Sequence, residues 1–334
     1  MITKFLAVVL LALSSARAAE PITLNGRAMG TTWSVKFLQP APPLNPATLH
    51  ARITAKLEQL EQQFSTYRPT SEVSRFNAST STEWITASPE VVRVAADSRR
   101  LSARTNGAFD PTVEPLVRLW GFGAQRRTGD LPNPTEIAAA RSRMDWHRLE
   151  IQISPPALRK TSHDLAVDFS SMAKGFAADA VSDLLVSLGA TNHFTQVGGD
   201  IKTAGTHTWR TGIEQPPASV NSPTLAQVVI LAGQALSTSG DTNNFFEHDG
   251  RRYGHIIDPR TGRPVSGMLA TVSVIHSSCA QSSALATALF VLGAEEGYNF
   301  AVRERLACLF VIRDGMTFKQ RATPQFAQWV AKTP

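Results

Sequence analysis

The sequence predicts an α+β fold with mostly antiparallel strands, on three observations. Strand-like runs crowd the stretch from His147 onward, amphipathic helices dominate before it, and one helix opens among the strands near Ser171. Short β-rich runs divided by turn residues, without regular strand–helix alternation, favour antiparallel pairing. The chain has 334 residues, 43% hydrophobic and 18% charged, which is ample for one large domain or two closely packed ones.

Residues 1–18 read as a secretory signal peptide: Lys4 gives a positive start, Phe5 to Leu13 is apolar throughout, and Ala16-Arg17-Ala18 is a small-x-small cleavage site. That run is too short to span a bilayer, which takes about 20 residues, and no lipid-accepting Cys follows it. The expectation is an exported, periplasmic protein cleaved near Ala18, with no transmembrane helix. Removing Lys4 and Arg17 from 33 basic residues, against 27 acidic ones, leaves 31 − 27 = +4. Basic residues are scattered and no aromatics interleave with them, which argues against nucleic acid.

Ile22 to Phe37 reads as a hairpin bent at Met29-Gly30, followed by a proline-rich connector, Pro40 to Pro46. Leu49 to Phe64 is an amphipathic helix. Pro69 bars the α conformation at Arg68, so Tyr67 falls on a loop, either packing over the helix end or offering a flat face to a ring. Pro89 to Thr105 is a helix closed by Asn106-Gly107. Asp110, between Phe109 and Pro111, either caps a short helix from Pro111 to Leu119 or serves a ligand. A polar, basic loop from Ala124 to Pro134 leads to a helix over Thr135 to Met144.

Strands are expected at Arg148 to Ile153, Asp164 to Asp168, His193 to Val197, Ile201 to Ala204, Trp209 to Ile213 and Leu225 to Leu231. Asp249-Gly250 marks a hairpin within Asn243 to Tyr253, and His255 to Gly262 is a second polar loop. A strand from Ala270 to Ile275, helices over Ala280 to Leu292 and Glu295 to Arg303, and a hairpin from Leu306 to Phe318 complete the chain. Cys279 and Cys308 lack metal-ligand spacing; either a disulfide or two buried free thiols fits them.

The densest polar cluster lies in Val167 to Gly205. The helix there buries Ala177, Ala180, Val181, Leu184, Leu185 and Leu188 at i, i+3, i+4 spacing and stops at Gly189. Asp168, Ser170, Ser171 and Lys174 gather at its start, where free backbone N–H groups favour an anion such as a phosphate; plain capping by Ser170 or Ser171 is the alternative. Val197-Gly198-Gly199-Asp200 then gives a glycine turn that a ligand can approach, with an acid beside it. G-x-G-x-x-G, P-loop, H-E-x-x-H and C-x-x-C motifs are absent. Ser171-Met172-Ala173-Lys174 formally matches S-x-x-K, with Arg210-Thr211-Gly212 as a K-T-G stand-in, but no S-D-N element lies between them.

Eight stretches in order, MGTTWSV, FSTYRPTSEVSRFN, GAFDPTVEPLVRLWGFG, DFSSMAKGFAADAV, VGGDIKTAG, STSGDTNNFF, HIIDPRTGRPV and ALATALFVLG, resemble the ApbE family of FAD:protein FMN transferases across almost the whole mature chain, residues 19–334. The resemblance implies a T-fold-like α+β architecture and transfer of FMN from FAD onto a threonine hydroxyl of an acceptor protein, with release of AMP and use of Mg2+. The acceptor would sit in a membrane electron-transfer complex. By the same resemblance Met29 and Tyr67 contact the flavin, Ala108, Phe109 and Asp110 hold the adenosine or ring portion, Asp168 and Lys174 fix the polar part of FAD, and Ile256 touches FAD. His255 is the candidate general base, oriented directly or through its loop by Asp258.

The metal would be held by the backbone oxygen of Ser171 and by positions 283 and 287, where the family pattern A-D-A-L-A-T implies an Asp and a Thr. Here the segment is Ser282-Ser283-Ala284-Leu285-Ala286-Thr287, so Ser283 stands where the carboxylate belongs. A hydroxyl is a weaker Mg2+ ligand than a carboxylate, and Asp241 is a further acid to consider. Three functions remain open: a working transferase, an FAD-binding relative with weak or no turnover, and an S-x-x-K serine enzyme.

Overall fold

The computed structural model describes residues 20–331 apart from 125, 126, 128, 217–223, 243 and 316. The expected signal segment, residues 1–18, lies outside the described residues. So do Asn243, which opens the expected hairpin, and part of the loop from Ala124 to Pro134.

An eight-stranded sheet organises the chain, in the order Ile22–Ala28, Thr31–Phe37, His193–Val197, Asp200–Ala204, Ala235–Gly240, Leu269–His276, Ala307–Asp314, Thr317–Ala322. Every pairing in it is antiparallel. The seven helices among the described residues are α1 (Pro46–Phe64), α2 (Glu72–Ala78), α3 (Pro89–Arg104), α4 (Glu114–Leu119), α5 (Pro134–Arg141), α6 (Ser170–Ser187) and α7 (Cys279–Arg303).

Side chains alternate across a strand, so each face of the sheet needs its own cover. Trp33, Val35 and Phe37 share one buried cluster with Leu57 and Leu60 of α1, Val181 and Leu185 of α6, and Leu285 and Leu289 of α7. On the other face Phe194, Ile201, Leu309 and Val311 pack with Trp209 and Val229 of the hairpin Trp209–Gln215/Thr224–Leu231 and with Phe326. A third cluster, Leu116, Trp120, Ile137, Ala140 and Ile257, joins α4 and α5 to the loop after His255.

Several expectations need correction. Asp164 to Asp168 forms no strand, although it is extended in composition. The Asn77 side chain supplies both halves of a strand neighbour instead, donating to the Val167 carbonyl and accepting from the Val167 amide, each at 2.8 Å. The buried Lys160 ammonium adds bonds of 3.0 Å to the carbonyls of Phe76 and Leu165, tying the end of α2 to the same segment. Ala235–Gly240 is a central strand despite its Ser-Thr-Ser-Gly composition, because Leu269–His276 supplies its ladder from one side along its whole length. The short helix expected from Pro111 begins only at Glu114. The two expected C-terminal helices, by contrast, are borne out: α7 comprises both, meeting at a kink at Gly293, whose φ of 82° only glycine adopts freely. Cys279 and Cys308 are free and buried, and burial pushes both thiols upward in pKa, so the disulfide alternative fails.

The contact between α6 and α7 sets the positions of the polar groups described below. Gly175 faces the backbone of Cys279 so closely that a Cβ there would lie 2.3 Å from the Cys279 carbonyl oxygen. One turn along α6, the Asp179 carboxylate accepts from the amides of Cys279 (2.9 Å) and Ala280 (3.0 Å) and from the Ser278 hydroxyl (2.8 Å). A carboxylate at a helix N-terminus satisfies orphan N–H groups and opposes the helix dipole. The α7 start is thus capped from another helix.

Gly175→Ala sets two effects against each other. Helix propensity favours Ala by about 1 kcal/mol, whereas overpacking against fixed backbone costs about 1–3 kcal/mol. The clash is with a carbonyl that cannot rotate away, so a net loss of stability is expected in a urea titration; a variant as stable as the parent would contradict the close approach.

Candidate functional site

Helix α6 starts at Ser170, and neither Ser170 nor Ser171 caps it. Asp168 does so, its carboxylate accepting from the Ser170 amide at 2.7 Å while its own amide donates to the Pro111 carbonyl at 2.8 Å. A negative group from the protein therefore already sits at the positive end of the helix. Among the described residues Lys174, half-buried one turn on, forms no ion pair. Its stem lies against the glycine turn: a Cβ on Gly198, whose φ is +62°, would come 3.3 Å from Lys174 Cδ. Glycine at that turn lets the lysine cross it.

Beyond the turn, Asp200 opens its strand and points inward, 5% exposed. Ser283 Oγ donates to Asp200 Oδ2 at 3.1 Å. Burial raises the carboxyl's pKa, while the charge of Lys174 and the hydroxyls of Ser237 and Ser283 oppose the rise. Thr287, one turn beyond Ser283 on α7, donates to the Ser283 carbonyl at 3.2 Å, and its hydroxyl lies 3.1 Å from that of Ser239. From the Gly175–Cys279 contact the two helices thus carry Lys174 and Ser283 to either side of Asp200. Asp241 turns away to Arg313, at 2.5 Å.

His255 enters from the loop after Arg251–Gly254. Its amide and its ring Nδ1 both approach the Asn244 carbonyl, at 3.0 and 3.1 Å. A carbonyl only accepts, so Nδ1 carries the hydrogen and, in the neutral ring, Nε2 keeps its lone pair. Burial lowers the ring's pKa, the bond to Asn244 opposes this, and Lys174 adds to the lowering. Asp258 does not reach His255; its carboxylate takes the Arg260 amide (2.9 Å) and guanidinium (3.0 and 3.1 Å), and its carbonyl accepts from Gly262 at 2.8 Å. Its service is to the turn. Trp120 Nε1 donates to the Gly262 carbonyl at 2.8 Å and fastens that turn to α4.

Tyr67 is 62% exposed, with its hydroxyl donating to the Phe122 carbonyl at 3.0 Å; the Phe122 ring in turn meets the His255 ring edge-on, centroids 6.4 Å apart. Met29, at φ 52° in the first hairpin's turn, donates its amide to Glu61 at 3.0 Å, and Glu61 pairs with Arg68 at 3.1 Å. This link between the first hairpin and the Tyr67 loop escaped sequence reasoning, although Glu61 and Arg68 flank the FSTY motif.

Ala108 and Phe109 fit their expected role less well. Both are buried, and both amides donate to Thr105, so their side chains belong to the core. Asp110 accepts from the Thr112 amide and hydroxyl, each at 2.7 Å; burial raises its pKa, and it starts a turn rather than capping α4. Ile256 is buried, with its carbonyl taken by the Val265 amide at 2.8 Å.

The donors around Ser283 are all oxygen: the Thr287 and Ser239 hydroxyls and the Asp200 carboxylate. Such a set fits a hard cation, and Mg2+ commonly takes few protein ligands and completes its shell from phosphate and water. Among the described residues there is no group of three or more His, Cys, Asp or Glu that could hold a metal by itself. Among them, too, no helix is long and apolar enough to cross a membrane.

Comparison with known proteins gives the family. The ApbE family profile matches residues 29–310. A Vibrio cholerae protein named FAD:protein FMN transferase is 38% identical over 331 residues, covering 98% of each chain. The solved flavin transferase ApbE from Vibrio cholerae superposes with a TM-score of 0.86 at 36% identity, covering 93% of this chain and 99% of its own. The apo flavinyl transferase ApbE of Pseudomonas stutzeri gives 0.84 at 38% identity, covering 93% and 96%. With the fold, the motif order and near full-length identity in agreement, this chain belongs to the ApbE family.

Proposed function

We propose that this chain is an FAD:protein FMN transferase that places FMN on a threonine hydroxyl of an acceptor protein and releases AMP. The observation that carries the reading is His255, whose Nδ1–H is committed to the Asn244 carbonyl and whose Nε2 lone pair is left to take a proton. Full-length similarity to relatives bearing that name supports it.

In the proposed step the threonine oxygen attacks the FMN-side phosphorus of the FAD pyrophosphate. An O–P bond forms, the P–O bond to AMP breaks, and the hydroxyl proton passes to His255 Nε2. Phosphoryl transfer depends mostly on positioning and charge neutralisation, and Lys174 supplies a positive charge for the pyrophosphate. Tyr67 and Met29 would face the flavin, while Asp168 orders the start of α6 and the backbone around Ala108 to Asp110 borders the ligand. Thr287, the Ser171 carbonyl and the hydroxyls beside them would hold Mg2+, which when bound withdraws charge from the phosphoryl oxygens. We read the reaction as periplasmic from residues 1–18, with an acceptor in a membrane electron-transfer complex. Ser283 favours one second reading, an FAD-binding relative with weak turnover. The S-x-x-K reading has no comparable support.

His255→Ala should lower AMP release about 10²–10⁴-fold while leaving FAD affinity intact. Full activity with normal FAD binding would remove His255 as the base. The base works unprotonated and its pKa is lowered, so the acid limb of kcat/KM should have its midpoint below the ordinary imidazole value of about 6.5. A midpoint above that value would contradict the lowered imidazole pKa.

Tyr67→Ala removes an exposed ring and should leave folding unchanged. Loss of stacking worth about 0.5–1.5 kcal/mol should weaken FAD binding roughly 2- to 12-fold in a fluorescence-quenching titration. Unaltered affinity would place the flavin elsewhere.

A further inference from the structure

We infer that Asp200 takes over the metal-binding carboxylate that position 283 lacks, so that the cation site is built from the Asp200 strand and the Thr287 turn of α7. The inference rests on the flavin-transfer reading only for the identity of the cation.

Three observations support it. Asp200 is 5% exposed, and among the described residues no Lys, Arg or His forms an ion pair with it. Lys174 offsets the burial of this carboxylate only from beyond ion-pair distance, and a bound cation would offset the rest. Secondly, Asp200 Oδ2 is 3.1 Å from Ser283 Oγ, so a carboxylate lies against the very side chain that stands in the place of the expected Asp. Thirdly, Ser283 joins Asp200 to Thr287 directly: its hydroxyl donates to the carboxylate and its carbonyl accepts from the Thr287 hydroxyl at 3.2 Å, with Ser239 Oγ a further 3.1 Å on. A carboxylate on residue 283 would extend toward Asp200 and set two negative groups side by side. Serine there leaves the Asp200 carboxylate hydrogen-bonded to Ser283, at the start of the Thr287 turn.

Asp241 is not an equal alternative, because Arg313 holds it at 2.5 Å. Asp179 is committed to the amides that open α7.

The test is Mn2+ binding to the full-length protein with FAD present, followed by electron paramagnetic resonance of the free ion. Asp200→Asn keeps the shape and an oxygen for Ser283 but removes the charge; Mn2+ affinity should fall at least about tenfold. The double variant Asp200→Asn/Ser283→Asp returns one carboxylate from the helix side and should regain most of that affinity. Thermal unfolding separates binding from folding: without metal, Asp200→Asn should be as stable as the parent or more so, yet lose the Mn2+-dependent rise in Tm. Undiminished Mn2+ binding by Asp200→Asn would overturn the inference. So would a folded, FAD-binding double variant that binds Mn2+ no better than Asp200→Asn. AMP release is scored separately: an inactive parent with the predicted Mn2+ pattern refutes flavin transfer and leaves the Asp200 site standing.

Discussion

The contact on which the site depends is the meeting of α6 and α7 at Gly175 and Cys279, locked by the Asp179 carboxylate across three donors. It fixes two helices at backbone distance, which only a residue without a Cβ permits. Of the polar groups proposed for the pyrophosphate and the cation, Ser171, Lys174, Ser283 and Thr287 stand within about two turns of that point on one helix or the other, Asp200 on the glycine turn, and Ser239 on the strand Ala235–Gly240. The buried faces of both helices rest on the same sheet cluster, so the separation of Lys174 from Thr287 is set by core packing rather than by loops.

The side proposed for the flavin is built differently, from loops: the Met29 turn is held by Glu61 of α1, and the Tyr67 and His255 loops are fastened to α4 or its exit. Trp120 holds the Gly262 carbonyl and the Phe122 carbonyl holds the Tyr67 hydroxyl, so the His255 loop and the Tyr67 loop share one short anchor. Loops positioned by a rigid scaffold are where binding groups usually lie. The motif GAFDPTVEPLVRLWGFG is thereby explained in part by what the Trp120 side chain and the Phe122 carbonyl restrain.

Much of this was legible in the sequence. Periodicity located α1, α3 and α6, and the alternating and turn residues located the first hairpin and most sheet strands, because those elements bury one regular face. Asp200 and Lys174 stood out through the glycine turn and the helix start. What could not be read was long-range pairing. Asn77 replaces a strand beside Val167, Asp179 caps a helix 99 residues away, and Arg260 claims Asp258 from His255. Ala235–Gly240 was not picked out as a strand, since tertiary pairing there overrides weak strand propensity. The expected roles of Ala108 and Phe109 ran into the same limit, since only the folded chain shows their side chains to be core.

The two cysteines carry a consequence for how the molecule opens. Cys279 sits at the Gly175 contact and Cys308 in a central strand, both wholly buried with thiols held in the protonated form. A thiol reagent attacks the thiolate, so neither sulfur is reactive until the layer over it separates. Each is therefore a clock for a different event: modification of Cys279 times the parting of α6 from α7, and modification of Cys308 times the loss of the sheet. Equal rates would mean that the helix pair and the sheet come apart as one cooperative unit; a faster Cys279 would mean that the helix pair breathes while the sheet stays whole.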